Sequence, residues 1–149
     1  MRAAVAAGGG FLLAVLWFDL MFDVQVRRHR GERLPDDVLA SISTYYRRVT
    51  TEARPMNRLI AAVMVATLGA IVAEIAVGTD PGWLGWAALV VAAAAIGRAA
   101  TGTVPDAVRL GREGDPPEIR SRLARSIYRD HRFCFAGIAV LVALQVAVR

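Results

Sequence analysis

Asp19 and Asp23 stand one helical turn apart inside an otherwise apolar run, residues 3–26. Carboxylates in hydrocarbon cost several kcal/mol unless something pairs with them, so each asks for a partner. Two carboxylates one turn apart can hold separated pKa values, an arrangement suited to acid–base work. At about 100° per residue, Gly8, Leu12, Asp19 and Asp23 share one stripe, which predicts a face turned into a helix bundle.

Arg98 is the expected counter-charge. Counted from Trp83 at the helix rise, it lies about 22 Å along its own apolar run, near the depth of Asp19. An Asp19–Arg98 ion pair would lock two helices together or line a site for a substrate, proton or ion. The third reading is an Arg98 that snorkels to the boundary by itself.

Glu74 and Gln145 form an expected outer polar pair at similar depth in two other runs, with Thr67 seven residues before Glu74 on its face. Glu74 also lies within about a turn of Thr79, close enough to reach water. His131 and Cys134 share a face at i, i+3, and His29 ends the first run on the same side, so His29, His131 and Cys134 are weak metal candidates. Two converging ligands do not make a zinc site, which needs three or four. A bis-histidine haem would need the two imidazoles facing each other within a bundle. No metal and no cofactor is therefore expected.

Tyr45, Arg47, Arg48, Arg54, Tyr128, Arg129 and Arg132 suggest an aromatic–arginine layer. Guanidinium forks match phosphate oxygens, and tyrosine suits a wet apolar boundary. Passive contact with anionic headgroups is the simpler reading, and specific capture of a phosphorylated lipid or nucleotide the sharper one. The chain has no P-loop, dinucleotide-binding glycine pattern, nucleophile elbow or zinc-protease helix motif. An enzyme here would have to work from the carboxylates and His131 alone.

The elements that must position these groups are long apolar helices. Runs at about 3–26, 56–78, 83–104 and 133–148 read as four transmembrane spans, since about 20 residues cross a hydrocarbon core of about 30 Å. Mean hydropathy is +0.43, and 56% of the 149 residues are hydrophobic, above the usual soluble share of about 45–50%. The fold expected is all-α: an integral membrane four-helix bundle with helical cytosolic extensions at about 27–55 and 105–132, in one domain.

All 18 basic residues are arginines. Apart from Arg2 and Arg149 they fall at 27–58 and 98–132, which predicts that those segments are cytosolic and both termini outside, in a bacterial inner membrane. Partners expected on that basis are the bilayer, with anionic headgroups on the cytosolic side, and a homo-oligomer or larger membrane complex, rather than nucleic acid. Cys134 is the only cysteine, so no intramolecular disulfide exists.

Helix boundaries are marked locally. Gly31 and Pro35 end the first helical stretch, and Pro35, Asp36 and Asp37 predict a capped start for a second, with Val38, Ile42, Tyr45 and Val49 on one face. That helix is expected to lie along the membrane or to extend the second span as far as a kink at Pro55. Residues 79–82 read as a tight turn between antiparallel spans. Asp115, Pro116, Pro117 and Glu118 predict a strong start, with Asp115 as cap, for one continuous helix to the C-terminus. Gly8, Gly9 and Gly10 and the alanines at 92–95 offer smooth surfaces, either between protomers or within one.

The expected function is that of a small multi-pass membrane protein without enzymatic activity. It would bind or pass a small solute or ion through an oligomeric bundle, or support a membrane complex. The alternative is a membrane-embedded enzyme with a cytosol-facing acid–base or metal site.

Overall fold

The computed structural model describes residues 1–78 and 81–147, and of Arg54 the backbone only. The described residues form helices and connecting turns, with no strand. They are α1 (Arg2–Asp23), α2 (Asp36–Arg47), α3 (Arg54–Val77), α4 (Trp83–Arg98), α5 (Val104–Gly111) and α6 (Pro117–Ala147). Continuous helical stretches at Arg2–Arg28, Pro55–Val77, Trp83–Gly111 and Pro117–Ala147 are each long and apolar enough to cross a membrane. Residues 79 and 80 of the expected turn, and the last two residues of the chain, lie outside the described residues.

The four long helices close into a ring. α1 packs on α3 and α6, and α4 packs on the same two, so α1 lies diagonally across from α4. Val5, Leu12, Ile71, Ala88, Ile138 and Leu141 fill the space between them. Small residues set the spacing. A Cβ on Gly8 would collide with Thr67 Oγ1, and one on Gly9 would come within 2.7 Å of Val142. Ala92 and Ala95 are buried, with Gly137 of α6 against Ala95. The smooth surfaces read from sequence are thus taken up inside one chain at Gly8, Gly9, Ala92 and Ala95, while Gly10, Ala93 and Ala94 are exposed.

A second core sits at the arginine-rich end. α2, α5 and the first half of α6 bury Leu34, Leu39, Ile42, Tyr46, Leu110 and Ile127 together. α2 docks its apolar face on α5 and α6, and its helical course continues through Arg48–Glu52 to a bend at Ala53 (φ −84°, ψ 53°) before α3, close to the kink expected at Pro55. Gly111 allows the docking, because a Cβ there would sit 2.7 Å from the Arg47 backbone nitrogen. The connection between α1 and α2 is held by the Leu34 amide donating to Ser121 Oγ (3.0 Å) and by Arg125 donating to the carbonyls of His29, Gly31 and Glu32.

Both expected caps are corrected. Asp36 pairs with Arg33 (2.7 Å) and no side chain caps α2, although Asp36 and Asp37 still place negative charge in its first turn. Asp115 is gripped by Arg109 through two bonds of 2.8 Å, which hold its carboxyl below the usual range. A guanidinium fork offers the carboxylate a stronger interaction than a single backbone amide does.

Two single π-helical turns interrupt the regular helices, at Arg48–Glu52 after α2 and at Ala99–Thr103 between α4 and α5. Such turns widen the helix and recur at functional sites. Here both border the same cavity, through Thr50 and Thr103.

Candidate functional site

Where the two cores meet, α1, α2 and α6 bring together two aspartates, two tyrosines and a histidine. Tyr46 donates to Asp23 Oδ1 at 2.6 Å, and Asp23 Oδ2 lies 2.7 Å from His131 Nδ1. Tyr45 donates to Asp19 Oδ1 at 2.7 Å, while Asp19 Oδ2 stands 3.7 Å from His131 Nε2. The imidazole is thus bracketed by carboxylates, each held by its own phenol. Asp23 is fully buried and His131 is 6% exposed.

Local structure explains how the groups meet. Asp19 and Asp23 are one turn apart at the end of α1, and Tyr45 and Tyr46 end α2, which docks at that level. Phe22 stacks on Tyr45 with ring centroids 4.0 Å apart, fixing the phenol toward Asp19. Both phenols stay protonated well above the ordinary tyrosine range. Burial is the larger cause; next come the charge of Asp19 on Tyr45 and that of Asp23 on Tyr46. They are therefore permanent donors, and the carboxylates are acceptors with their partners fixed.

The expected Asp19–Arg98 pair does not form. Arg98 donates to Asp130 Oδ2 at 2.7 Å, with its guanidinium laid over Gly102. The reason is the ring order: α4 packs beside α6 but across the diagonal from α1, so Arg98 reaches the α6 carboxylate and not the α1 one. Equal depth was a necessary condition for the pair, and the wrong helix neighbours defeated it.

The cluster opens on a cavity of about 510 Å³. Its wall is apolar over most of its extent, with Phe11, Phe18, Met64 and Ile138 among the lining residues. Asp19, Tyr45, Tyr46, Thr50, Asn57, Thr103 and His131 supply its polar groups, and Cys134 also lines it. Thr103 is 2% exposed, and its hydroxyl has no hydrogen-bond partner among the described residues.

The outer polar residues are placed differently from expectation. Glu74 does not reach water: it is 2% exposed, with Arg2 Nε at 3.5 Å. Neither of its oxygens makes a hydrogen bond among the described residues, and the same holds for the amide of Gln145 and the hydroxyl of Thr67. Glu74 and Gln145 are therefore not a hydrogen-bonded pair.

Among the described residues no three histidine, cysteine or acidic side chains are grouped to hold a metal. His131 directs its two nitrogens at aspartates on opposite sides, Cys134 Sγ donates to the Ala95 carbonyl (3.3 Å), and His29 ends the turn after α1. The aromatic–arginine layer is partly dissolved. Tyr45 belongs to the buried cluster, and Arg47 pairs with Glu113 (3.3 Å) and Glu52 (3.6 Å). Arg132 lies over the Tyr128 ring at 5.7 Å, while Arg48 and Arg129 are exposed. The side chain of Arg54 lies outside the described residues.

Two carriers of the site, Tyr46 and Thr103, were not singled out from sequence for these roles. A usable signal existed for His131: Ile127, His131, Cys134, Ile138, Leu141 and Gln145 repeat at three- and four-residue spacing, the inward face of α6.

No protein-family model matches the chain, and neither a curated protein nor a solved structure is significantly similar to it.

Proposed function

We propose that this is a multi-pass inner-membrane protein, without catalytic activity of its own, that binds a small solute in the chamber beside Asp19 and His131. The carrying observation is the chamber itself: about 510 Å³ of largely apolar space with a carboxylate and an imidazole in one wall. Ligand sites have this composition, an apolar lining with few polar groups that fix orientation. An orientation with the arginine-rich end in the cytosol and both termini outside is supported by the exposed arginines at that end, such as Arg27, Arg28, Arg112 and Arg122. Those side chains are the natural contacts for anionic headgroups.

A native reporter makes the test direct. Cys134 is the sole cysteine, is buried and lines the chamber. A solute seated there should slow modification of Cys134 by a small membrane-permeant thiol reagent in the purified full chain. If no apolar-bodied solute of fitting size slows it, the binding role fails.

The second reading, acid–base catalysis, is favoured by the 2.7 Å contact between Asp23 and His131. Weighing against it, the nearby thiol of Cys134 is directed to a backbone carbonyl and both phenols are committed to carboxylates. Turnover of a chamber-bound substrate that is lost in His131→Gln would establish this reading and overturn the first.

A further inference from the structure

We infer that the solute is an organic cation: an ammonium head with a compact apolar body, anchored by Asp19 with its head toward Thr103 and Asn57. The inference rests on the chamber reading and adds the chemical class of the ligand.

Charge comes first. Among the described residues, the lining includes Asp19 and His131 but no arginine and no glutamate. With Asp19 and Asp23 both ionised, even a fully protonated imidazole leaves the cluster one negative charge. Arg98, the cation expected from sequence to meet Asp19, is committed to Asp130 at 2.7 Å. A carboxylate facing an apolar chamber is poorly solvated, and a ligand cation would replace the missing counter-charge.

The hydrogen-bonding capacity left on the wall points the same way. Asp19 accepts one bond, from Tyr45, and a carboxylate can accept about four. Asn57 donates Nδ2 to the Thr50 carbonyl, which leaves its Oδ1 as an acceptor, and Thr50 donates to the Tyr46 carbonyl. The Tyr45 and Tyr46 hydroxyls already donate to aspartates. What remains is mostly acceptors, beside the second N–H of Asn57, the His131 Nε2 position and the Thr103 hydroxyl, which is buried without a partner among the described residues. Leaving such a hydroxyl unsatisfied is unfavourable, so a donor supplied by a ligand has something to gain. Phe11, Phe18, Tyr45 and Tyr46 add aromatic faces on which a cation can sit.

The experiment compares three ligands that share one apolar cage and differ in the head: 1-adamantanamine, 1-adamantanol and 1-adamantanecarboxylate. Each is titrated against the full chain in detergent at neutral pH, with protection of Cys134 and thermal stability as readouts. The amine should bind tightest, by about tenfold or more over the alcohol, as expected for an ion pair shielded from bulk water, with the carboxylate weakest. Asp19→Asn should reduce the amine to the level of the alcohol and leave the alcohol unchanged. If amine and alcohol bind alike, or the carboxylate binds best, the cation assignment is overturned and the chamber reading survives. If none of the three binds, both are overturned. Should Asp19→Asn fail to fold, the rank order on the wild-type protein decides by itself.

Discussion

The two ends of the four-helix ring bury the same kinds of polar side chain and treat them in opposite ways. At the arginine-rich end, Asp23, Tyr46 and His131 satisfy one another at 2.6–2.7 Å, with Asp19 and Tyr45 alongside. At the far end, Glu74, Thr67 and Gln145 are as deeply buried, yet their side-chain oxygens and nitrogens make no hydrogen bond among the described residues. The inner end is served by a second layer of helices: α2 arrives with two phenols placed over the end of α1. The far end has no such layer among the described residues: Glu74 has only the Arg2 guanidinium at 3.5 Å, and Thr67 and Gln145 have no hydrogen-bond partner there. Burial alone therefore says little about what a polar residue contributes.

That contrast is broken or sharpened by a graded set of substitutions, read as thermal stability of the purified chain in detergent. The largest effect is expected at Asp23→Ala, which leaves the Tyr46 hydroxyl and the His131 imidazole buried without their acceptor. A loss of about 3–5 kcal/mol is expected for breaking a buried charged pair. A variant as stable as wild type would mean that the inner cluster is no lock. Tyr46→Phe removes one bond to a carboxylate and should cost about 1.5–3 kcal/mol, with Tyr45→Phe costing less because Tyr45 is only half-buried.

At the outer end the sign reverses. Gln145→Leu keeps the volume and removes two unsatisfied polar atoms, so stability should rise by about 1–3 kcal/mol. If it falls instead, Gln145 has a partner in solution and the contrast between the ends collapses.

A pH series gives a smaller effect. Tyr45 and Tyr46 hold their protons above the ordinary tyrosine value because of burial, then because of the neighbouring aspartates. The unfolded chain releases those protons from about pH 10, while the folded chain keeps them. Above that pH the unfolded state binds fewer protons, so stability is intact below about pH 10 and falls as pH rises further. The decline should flatten in Tyr46→Phe; an unchanged slope would show that the phenol is not buried as described.

The smallest effect concerns Asp115, whose carboxyl is lowered by its bonds to Arg109. Its stabilising contribution is present above about pH 3.9 and is lost as pH falls through its folded value. Asp115→Asn should remove that part of the acid-side slope.

The sequence made particular features legible for physical reasons. Uninterrupted apolar length predicts helices long and apolar enough to cross a membrane, and the Asp19, Asp23 stripe beside Gly8 and Leu12 predicts an inward face. The start of α6 at Pro117 follows from proline placement at a first helical position. The alkyl periodicity of α6 carries His131 on its buried stripe. Other features had no local signature. The role of Tyr46 depends on where α2 docks, and that docking depends on Gly111 admitting the Arg47 backbone. Thr103 became a chamber residue because the helix widens at Ala99–Thr103, a change that periodicity does not reveal.

By itself, then, the chain determined the four long apolar helices, the bias of its arginines and the burial of its carboxylates, because hydropathy, length and helical phase are properties of a single segment. Tertiary structure alone decided that Asp19 faces His131 and Tyr45 while Arg98 goes to Asp130. Two residues at equal depth can pair only if their helices are neighbours. The order of helices around the ring is fixed by how all the faces pack at once, with α1 set across from α4.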